Sequence, residues 1–527
     1  MKNRHHQPGR RCLIEEAAKD LRVPCVRVEF TLRRRNFAIM RTQFLTSAFA
    51  LAAVALSTSC GEGAAVKQAT SEAEILSSDS LAVADVLVHP AWSKNATIYE
   101  VNIRQHTPEG TFNAFAADIP RLKALGVDIL WLMPIHPIGE VNRKGGENAD
   151  NYIAEPGSGS LGSPYSVKDY LAVNPDYGTM ADFQRLVKTA HDNGLKVILD
   201  WVANHTAFDS EWTRKHPEFF LLDEEGELQP PLGTDWWDVT QLDWAKGKEN
   251  GLYDAMDAAL DFWVEVADID GYRCDVAMKV PTDFWEQARR SLEEIKPDVF
   301  MLAEAEEPDH HNRAFDMSYA WHLHHLYNQI ATGAFPLDSL RDHLDHELER
   351  FGRSAYRMSF VTNHDENSWN GTLRERMGDN ADAVTVLAGT LMGMPLIYSG
   401  QEAGLDKRLR FFEKDTVVWG DYSRTAFYQD INRLNHDEQA LWNGSAGAWP
   451  IEIPTPYAAD VFAFHRTTAD GASQILTAIN LSSTPHAIVL PLDSSAHELE
   501  MSSSGLGWAG KGEAILPANG FAVWSKK

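Results

Sequence analysis

Cysteine is scarce in this chain, with four in 527 residues at positions 12, 25, 60 and 274. Two precede a segment that reads as an export signal, so Cys60 and Cys274 alone would remain in the mature chain and no structural disulfide is expected. Basic residues are also few, 48 Lys and Arg against 75 Asp and Glu, for a formal net charge of -27. The first 41 residues hold 11 of the basic and 4 of the acidic residues, which leaves -34 on the rest. So acidic a surface argues against nucleic acid as a partner, because phosphate contacts need a basic patch. Long apolar runs are missing too. The stretch at 44–56 is too short to span a bilayer with ease. No G-x-G-x-x-G follows a first strand, which removes the support for an open doubly wound sheet.

What is present is enough for a large core. With 44% hydrophobic and 10% aromatic residues, the chain is expected to form one big domain with a smaller companion. Met40 and Arg41 open a short basic start, the apolar stretch follows, and small residues lead into Cys60-Gly61, which is a signal-peptide pattern over 40–60. Cys60 resembles the acylated cysteine of a bacterial lipoprotein, but Ser57 stands where a Leu is usual, so lipid anchoring and plain secretion are both open. Either implies an exported protein, periplasmic or at the cell surface, whose only membrane contact would be through Cys60. Residues 1–39 fit neither a fold nor a signal and read as an upstream extension from a misassigned start. Residues 61–88, rich in Ala, Ser, Glu and Asp without apolar period, read as a flexible tether.

From Trp92 onward, short apolar runs alternate with amphipathic helices. Strands are expected near 96–103, 127–135, 195–203, 269–277, 299–305, 314–320, 356–364 and 394–400. A helix over 113–125 carries Phe115, Ile119 and Leu122 on one face. A second carries Phe183, Leu186, Val187 and Ala190, with Thr179 and Asp182 as a capping pair and Gly194 as the stop. Eight such units over 89–445 predict an α/β fold, a (β/α)8 TIM barrel. A segment rich in Trp, Pro and acidic residues at 206–246 is too long for an ordinary loop and reads as a lid or minor domain after strand 3. Over 446–527 the runs become short and alternating, as in an antiparallel β domain.

A barrel of this kind keeps its chemistry at the C-terminal ends of its strands. There the sequence puts Asp200, Asn204 and His205 after strand 3, Arg273 and Asp275 after strand 4, Glu304 after strand 5, and His364 with Asp365 after strand 7. Any single strand-end carboxylate is explained by helix capping or by pairing with a neighbour. Several carboxylates, two histidines and an arginine on one rim are not, since crowding like charges costs free energy that core packing does not require. The pattern suits glycoside cleavage with retention, which needs one ionised carboxylate and one protonated carboxyl roughly 5 Å apart. Arg273, two positions from Asp275 on the same strand face, would hold that group ionised. Glu304 lacks an adjacent cation in the sequence and is the candidate for a raised pKa.

Four segments, DWVANH at 200–205, GYRCDVA at 271–277, AEAEE at 303–307 and TNHDEN at 362–367, resemble in order the signature segments of the α-amylase family of glycoside hydrolases. The resemblance implies Asp275 as nucleophile, Glu304 as general acid and base, and Asp365 as the third carboxylate, which holds ring hydroxyls as the sugar distorts. It further implies that His205 and His364 hydrogen-bond the glucosyl unit, that Arg273 supports Asp275, and that Tyr165 in SPYSVKDY is an aromatic platform under the sugar. The implied substrate is an α-glucan or maltooligosaccharide, and no organic cofactor is expected. Asn204 matches a position that ligates calcium in many α-amylases, and a role bracing the backbone explains it equally well.

The sequence also departs from parts of the family. Gly162 stands where strict exo-acting α-glucosidases carry an aspartate, which favours endo action or maltooligosaccharide processing. Val276 resembles both α-1,6-acting enzymes and the neopullulanase and cyclomaltodextrinase group, so the linkage and transfer to another sugar stay open. Trp212, Trp236, Trp237 and Trp244 could stack on sugar rings or pack beneath their own lid. Two readings from other classes are a metal-dependent barrel hydrolase and a non-catalytic sugar-binding barrel. The first would use His310, His311, His322, His324 and His325, but these fall on a helix and a loop where solvated or capping roles are ordinary. The second conflicts with the full set of carboxylates.

Overall fold

Short strands of three to six residues and the helices between them build the barrel of the structure, a computed structural model that describes residues 87–145, 160–493, 495–510 and 512–527. The signal segment, Cys60 and nearly all of the proposed tether lie outside the described residues. The strands β1 (Ile98–Val101), β2 (Ile129–Leu132), β3 (Lys196–Trp201), β4 (Gly271–Cys274), β5 (Phe300–Ala303), β6 (Met317–Tyr319), β7 (Tyr356–Ser359) and β8 (Met394–Tyr398) close into a parallel barrel in chain order, β8 pairing with β1. All eight runs expected from the sequence form strands, but each is shorter than its apolar run. Apolar character marks burial rather than ladder pairing, and the loops at the strand ends are buried as well.

The barrel interior is filled by residues such as Ile98, Ile129, Ile198, Phe300, Leu302, Met317, Met358 and Leu396, with Trp131 and Tyr319 also inside. The outward faces pack on the surrounding helices through a larger cluster that includes Phe183, Leu186, Trp263 and Trp285. Helix Met180–Asp192 carries the expected capping box, with Thr179 and Asp182 each bonding the other's backbone, and Gly194 just past its end takes φ +72°. The helix expected over 113–125 is instead two, Phe112–Ala116 and Ile119–Leu125. Pro120 falls at the start of the second, where its missing N–H costs nothing, and mid-helix it would remove a bond and clash.

After β3 the chain leaves the barrel. His205–Ala207 pairs antiparallel with Val239–Gln241, and the turn of helix Glu211–Lys215 lies between them. Beyond helix Thr425–Asp437 follow a five-stranded sheet that includes Val461–Thr467, Gln474–Asn480 and Gly520–Lys526, and a three-stranded one around Glu513–Leu516. Both are antiparallel.

Candidate active site

Register sets the level of the polar residues at the barrel mouth. Glu100 pairs across to Trp131 on one side and Tyr398 on the other, and Asp200 pairs with Arg273. Asp275 and Glu304 directly follow the last residues of β4 and β5. His364 and Asp365 lie farther out than the sequence implies, in the loop after β7 that opens the wide helical turn Glu366–Asn370. Asn204 and His205 likewise follow the end of β3, and His205 begins the lid hairpin.

The centre of the site is Arg273, fully buried. Its Nη1 lies 2.8 Å from Asp200 Oδ1 and 2.9 Å from Asp275 Oδ1, its Nη2 lies 3.0 Å from Glu304 Oε2, and its Nε donates to the Tyr319 hydroxyl at 3.1 Å. The Nη2 contact is an ion pair outside hydrogen-bond geometry, since that nitrogen has no hydrogen-bonded partner. The guanidinium also faces the rings of Trp131 and Tyr319, with centroids at 5.0 and 5.4 Å. One cation therefore touches three carboxylates, including the glutamate that the sequence left without a neighbouring charge. Removing one member of such a group leaves buried charge uncompensated. Arg273→Met is expected to lose about 3–5 kcal/mol of stability. An unchanged denaturant midpoint in chemical unfolding would refute that role.

The same packing sets the proton affinities. Burial raises the Glu304 carboxyl to about 7, with Arg273 opposing and the Asp275 and Asp365 charges adding to the rise. Burial likewise raises Asp275 to about 6 against Arg273, so Arg273 limits the rise without removing it. Of the two, Glu304 holds its proton more tightly. Its Oε2 also accepts the Val276 amide at 2.8 Å. Val276 has φ 37°, a left-handed conformation that a β-branched residue adopts at a cost of roughly 1–3 kcal/mol. That cost aims the amide at the carboxyl. His205 is neutral, its pKa lowered to about 3 by burial and by Lys279, and its Nδ1 receives the Asn204 side-chain amide at 3.2 Å.

A cleft of about 350 Å³ opens over these groups, lined by Tyr165, His205, Asp275, Glu304, His364 and Asp365 among others. The residues expected from the sequence thus meet in one place. Tyr165 stacks on His364 with ring centres 5.4 Å apart and on Phe411 at 6.0 Å. Trp236 from the lid, Trp369, Phe411 and Phe412 complete the apolar wall. Of the other lid tryptophans, Trp244 is buried with its Nε1 on the Ala203 carbonyl, and Trp212 packs on Tyr170 and Phe219. The sequence reading passed over Glu100, Trp369 and Phe411. Glu100 sits inside an ordinary-looking strand, Trp369 in the short helical turn Glu366–Asn370 and Phe411 in a turn, with no periodic pattern to single them out.

Asn204 Oδ1 is buried and has no hydrogen-bond partner, as is also true of the side-chain oxygens of Asn432, Asn435 and Asn443, so this does not single it out as a metal ligand. No group of three or more His, Cys, Asp or Glu able to hold a metal ion exists among the described residues, so no step below runs through a metal. His310 and His311 begin a single helical turn, His310–Arg313, rather than sitting in a loop, and His322, His324 and His325 lie on helix Trp321–Ala331. His324 is spent on the Phe360 carbonyl and His311 on Ser318.

Fold and site together define a (β/α)8 barrel with an acidic, aromatic-walled cleft at the C-terminal ends of its strands. The profile of the family described as alpha amylase, catalytic domain, matches residues 79–447, and the chain belongs to that family. It is 28% identical over 455 residues to alpha-amylase MalA of Haloarcula japonica, covering 82% of this chain and 62% of that protein. The alpha-1,4-glucan:maltose-1-phosphate maltosyltransferase of Salinibacter ruber is 26% identical, with 78% and 64% covered. The chain thus spans somewhat under two thirds of the length of these curated relatives. Among solved structures, an alpha-amylase from Lactobacillus plantarum superposes with a TM-score of 0.69 at 30% identity, over 82% of this chain and 98% of that one. A maltogenic alpha-amylase from Thermotoga neapolitana gives the same TM-score and coverage at 26% identity.

Proposed function

We propose that this protein is a retaining glycoside hydrolase that cleaves α-glucosidic bonds, mainly α-1,4, in starch, maltodextrins or related α-glucans. The observation that carries the reading is the pair Asp275 and Glu304 gripped by the two terminal nitrogens of one guanidinium. That grip keeps the carboxyls close enough for double displacement. Asp275 attacks the anomeric carbon as the glycosidic C–O bond breaks, and the leaving oxygen takes the proton of Glu304. Water then gives a proton to the Glu304 carboxylate and attacks the same carbon, breaking the ester and freeing Asp275. Tyr165 supplies an apolar face beneath the sugar, and Asp365, with a side chain 36% exposed, is open to its hydroxyls. His205 and His364 flank the same position.

The pH dependence follows from the two raised carboxyls. Asp275 must be ionised, so activity rises as pH climbs through about 6, and Glu304 must be protonated, so activity falls through about 7. The expected kcat/KM profile is a narrow bell whose limbs belong to the coupled pair. A plateau extending two units above neutrality would contradict the assignment of Glu304.

Gly162 bears on the mode of attack. It has φ +72°, and a Cβ there would lie 2.8 Å from Arg143 Cγ, so an aspartate that grips a chain end has no room at this position without moving Arg143. This supports internal cleavage or oligosaccharide processing. A second reading, transfer of the glucosyl unit to another sugar, draws on the name of the Salinibacter relative and on Trp369, 42% exposed at the cleft wall as a surface for an acceptor ring. Product analysis on maltoheptaose, pullulan and a cyclodextrin separates the readings. Shorter maltooligosaccharides mean hydrolysis of α-1,4 bonds, longer ones mean transfer, and no product from any of the three would overturn the proposal.

A further inference from the structure

Glu100 lies at the barrel end of β1, fully buried, and none of the steps above uses it. One carboxylate oxygen, Oε1, is hydrogen-bonded to Nδ1 of His364, and the other, Oε2, is buried without a partner. A buried carboxylate so poorly satisfied is costly unless a cation sits against it.

The protons around His364 can be counted. Asp200 Oδ2 receives the Trp131 indole N–H at 3.1 Å and the Tyr165 hydroxyl at 2.9 Å. A tyrosine hydroxyl has one proton, and the charged Asp200 carboxylate is a stronger acceptor for it than a neutral ring nitrogen, which leaves the Tyr165 oxygen to accept from His364. Nε2 of His364 lies 2.9 Å from that oxygen and 3.4 Å from Asp365 Oδ2, and so faces two acceptors. Nδ1 faces the acceptor Glu100. A neutral imidazole carries one N–H and cannot serve both sides.

We propose that Glu100 is a positioning residue that holds His364 as an imidazolium, donating from both nitrogens, so that the cleft floor carries a second fixed cation beside Arg273. The inference rests on the hydrolase reading for its catalytic meaning, though not for its geometry. The groups facing the ring come from every neighbouring strand end: Glu100, Tyr165, Asp200, Arg273, Asp365 and, beyond Glu100, Tyr398. Burial opposes the charge on His364, but Asp365 and Glu100 outweigh burial and Arg273, and the pKa rises to about 9. The consequence is local. The imidazolium offsets part of the negative charge on Asp200 and Asp365, which would otherwise raise the pKa of Asp275 further and leave the nucleophile protonated at neutral pH.

The test is nitrogen NMR of the protein labelled with 15N-histidine, with the His364 signal assigned by its loss in His364→Gln. At pH 8, wild-type His364 is expected to show two protonated ring nitrogens, and in Glu100→Gln the same signal is expected to be that of a neutral ring. The kinetic counterpart is the acidic limb of kcat/KM, which reports ionisation of Asp275. It should move to higher pH in Glu100→Gln, as the nucleophile loses a neighbouring cation and holds its proton more tightly, and Glu100→Asp, which keeps the charge, should return it to the wild-type position. A neutral His364 in the wild type at pH 8 overturns the proposal even if Glu100→Gln fails to fold, and so does an unchanged His364 titration in a folded Glu100→Gln. Activity surviving in Asp275→Asn would overturn the hydrolase reading while leaving the NMR result standing.

Discussion

Asp275→Asn is expected to abolish cleavage of every substrate, with a loss in kcat on the order of 10⁴-fold or more. No other carboxylate is placed to replace it. Asp200 is fully buried between Arg273, Trp131 and Tyr165, and Glu304, in the proposed mechanism, serves the leaving group. Asparagine matches the shape of aspartate and keeps a hydrogen-bonding partner for Arg273, so the fold should survive and the loss should be chemical. The wild-type enzyme should trap a glucosyl unit on Asp275 when treated with a fluorinated glucosyl fluoride, detectable by mass spectrometry of the peptide that contains residues 271–277. The first product should keep its α configuration. A β-configured first product by NMR would mean inversion and would make the pairing of Asp275 with Glu304 wrong.

Glu304→Gln should cost roughly 10²–10⁴-fold on substrates with poor leaving groups, the usual contribution of a general acid. The same variant should spare the first step for an aryl glycoside or a glycosyl fluoride, whose leaving group needs little protonation. In Glu304→Ala the smaller side chain opens space beside Asp275. Added azide should then restore part of the turnover as the α-glucosyl azide, because an anionic nucleophile needs no base. Equal losses on natural and activated substrates, with no rescue by azide, would remove Glu304 from the acid and base role.

Much of this molecule could be read from its order of residues. The eight apolar runs and the helices between them are periodic, and local periodicity with a matching cap, as at Thr179 and Asp182, is a property of adjacent residues. The four segments that carry Asp200, Arg273, Asp275, Glu304, His364 and Asp365 were visible for the same reason, because each is short and contiguous. Over 113–125 the apolar face continues across a break that Pro120 imposes, so periodicity alone does not reveal two helices there. Buried loops share the composition of strands, so the apolar runs outlast the ladders.

The sequence by itself determined the elements, their alternation and the residue types that reach the barrel mouth, since these depend on neighbours three or four positions apart. Only the tertiary structure decided the electrostatics. Glu304 lies 31 positions from Arg273 in the chain yet 3.0 Å from its guanidinium, and Glu100 lies 264 positions from the histidine it bonds. A charge acts through space and through whatever dielectric surrounds it, not along the chain. Which carboxyl keeps a proton, and whether His364 keeps two, are therefore set by closure of the barrel, which brings β1, β4, β5 and the loop after β7 around one buried point.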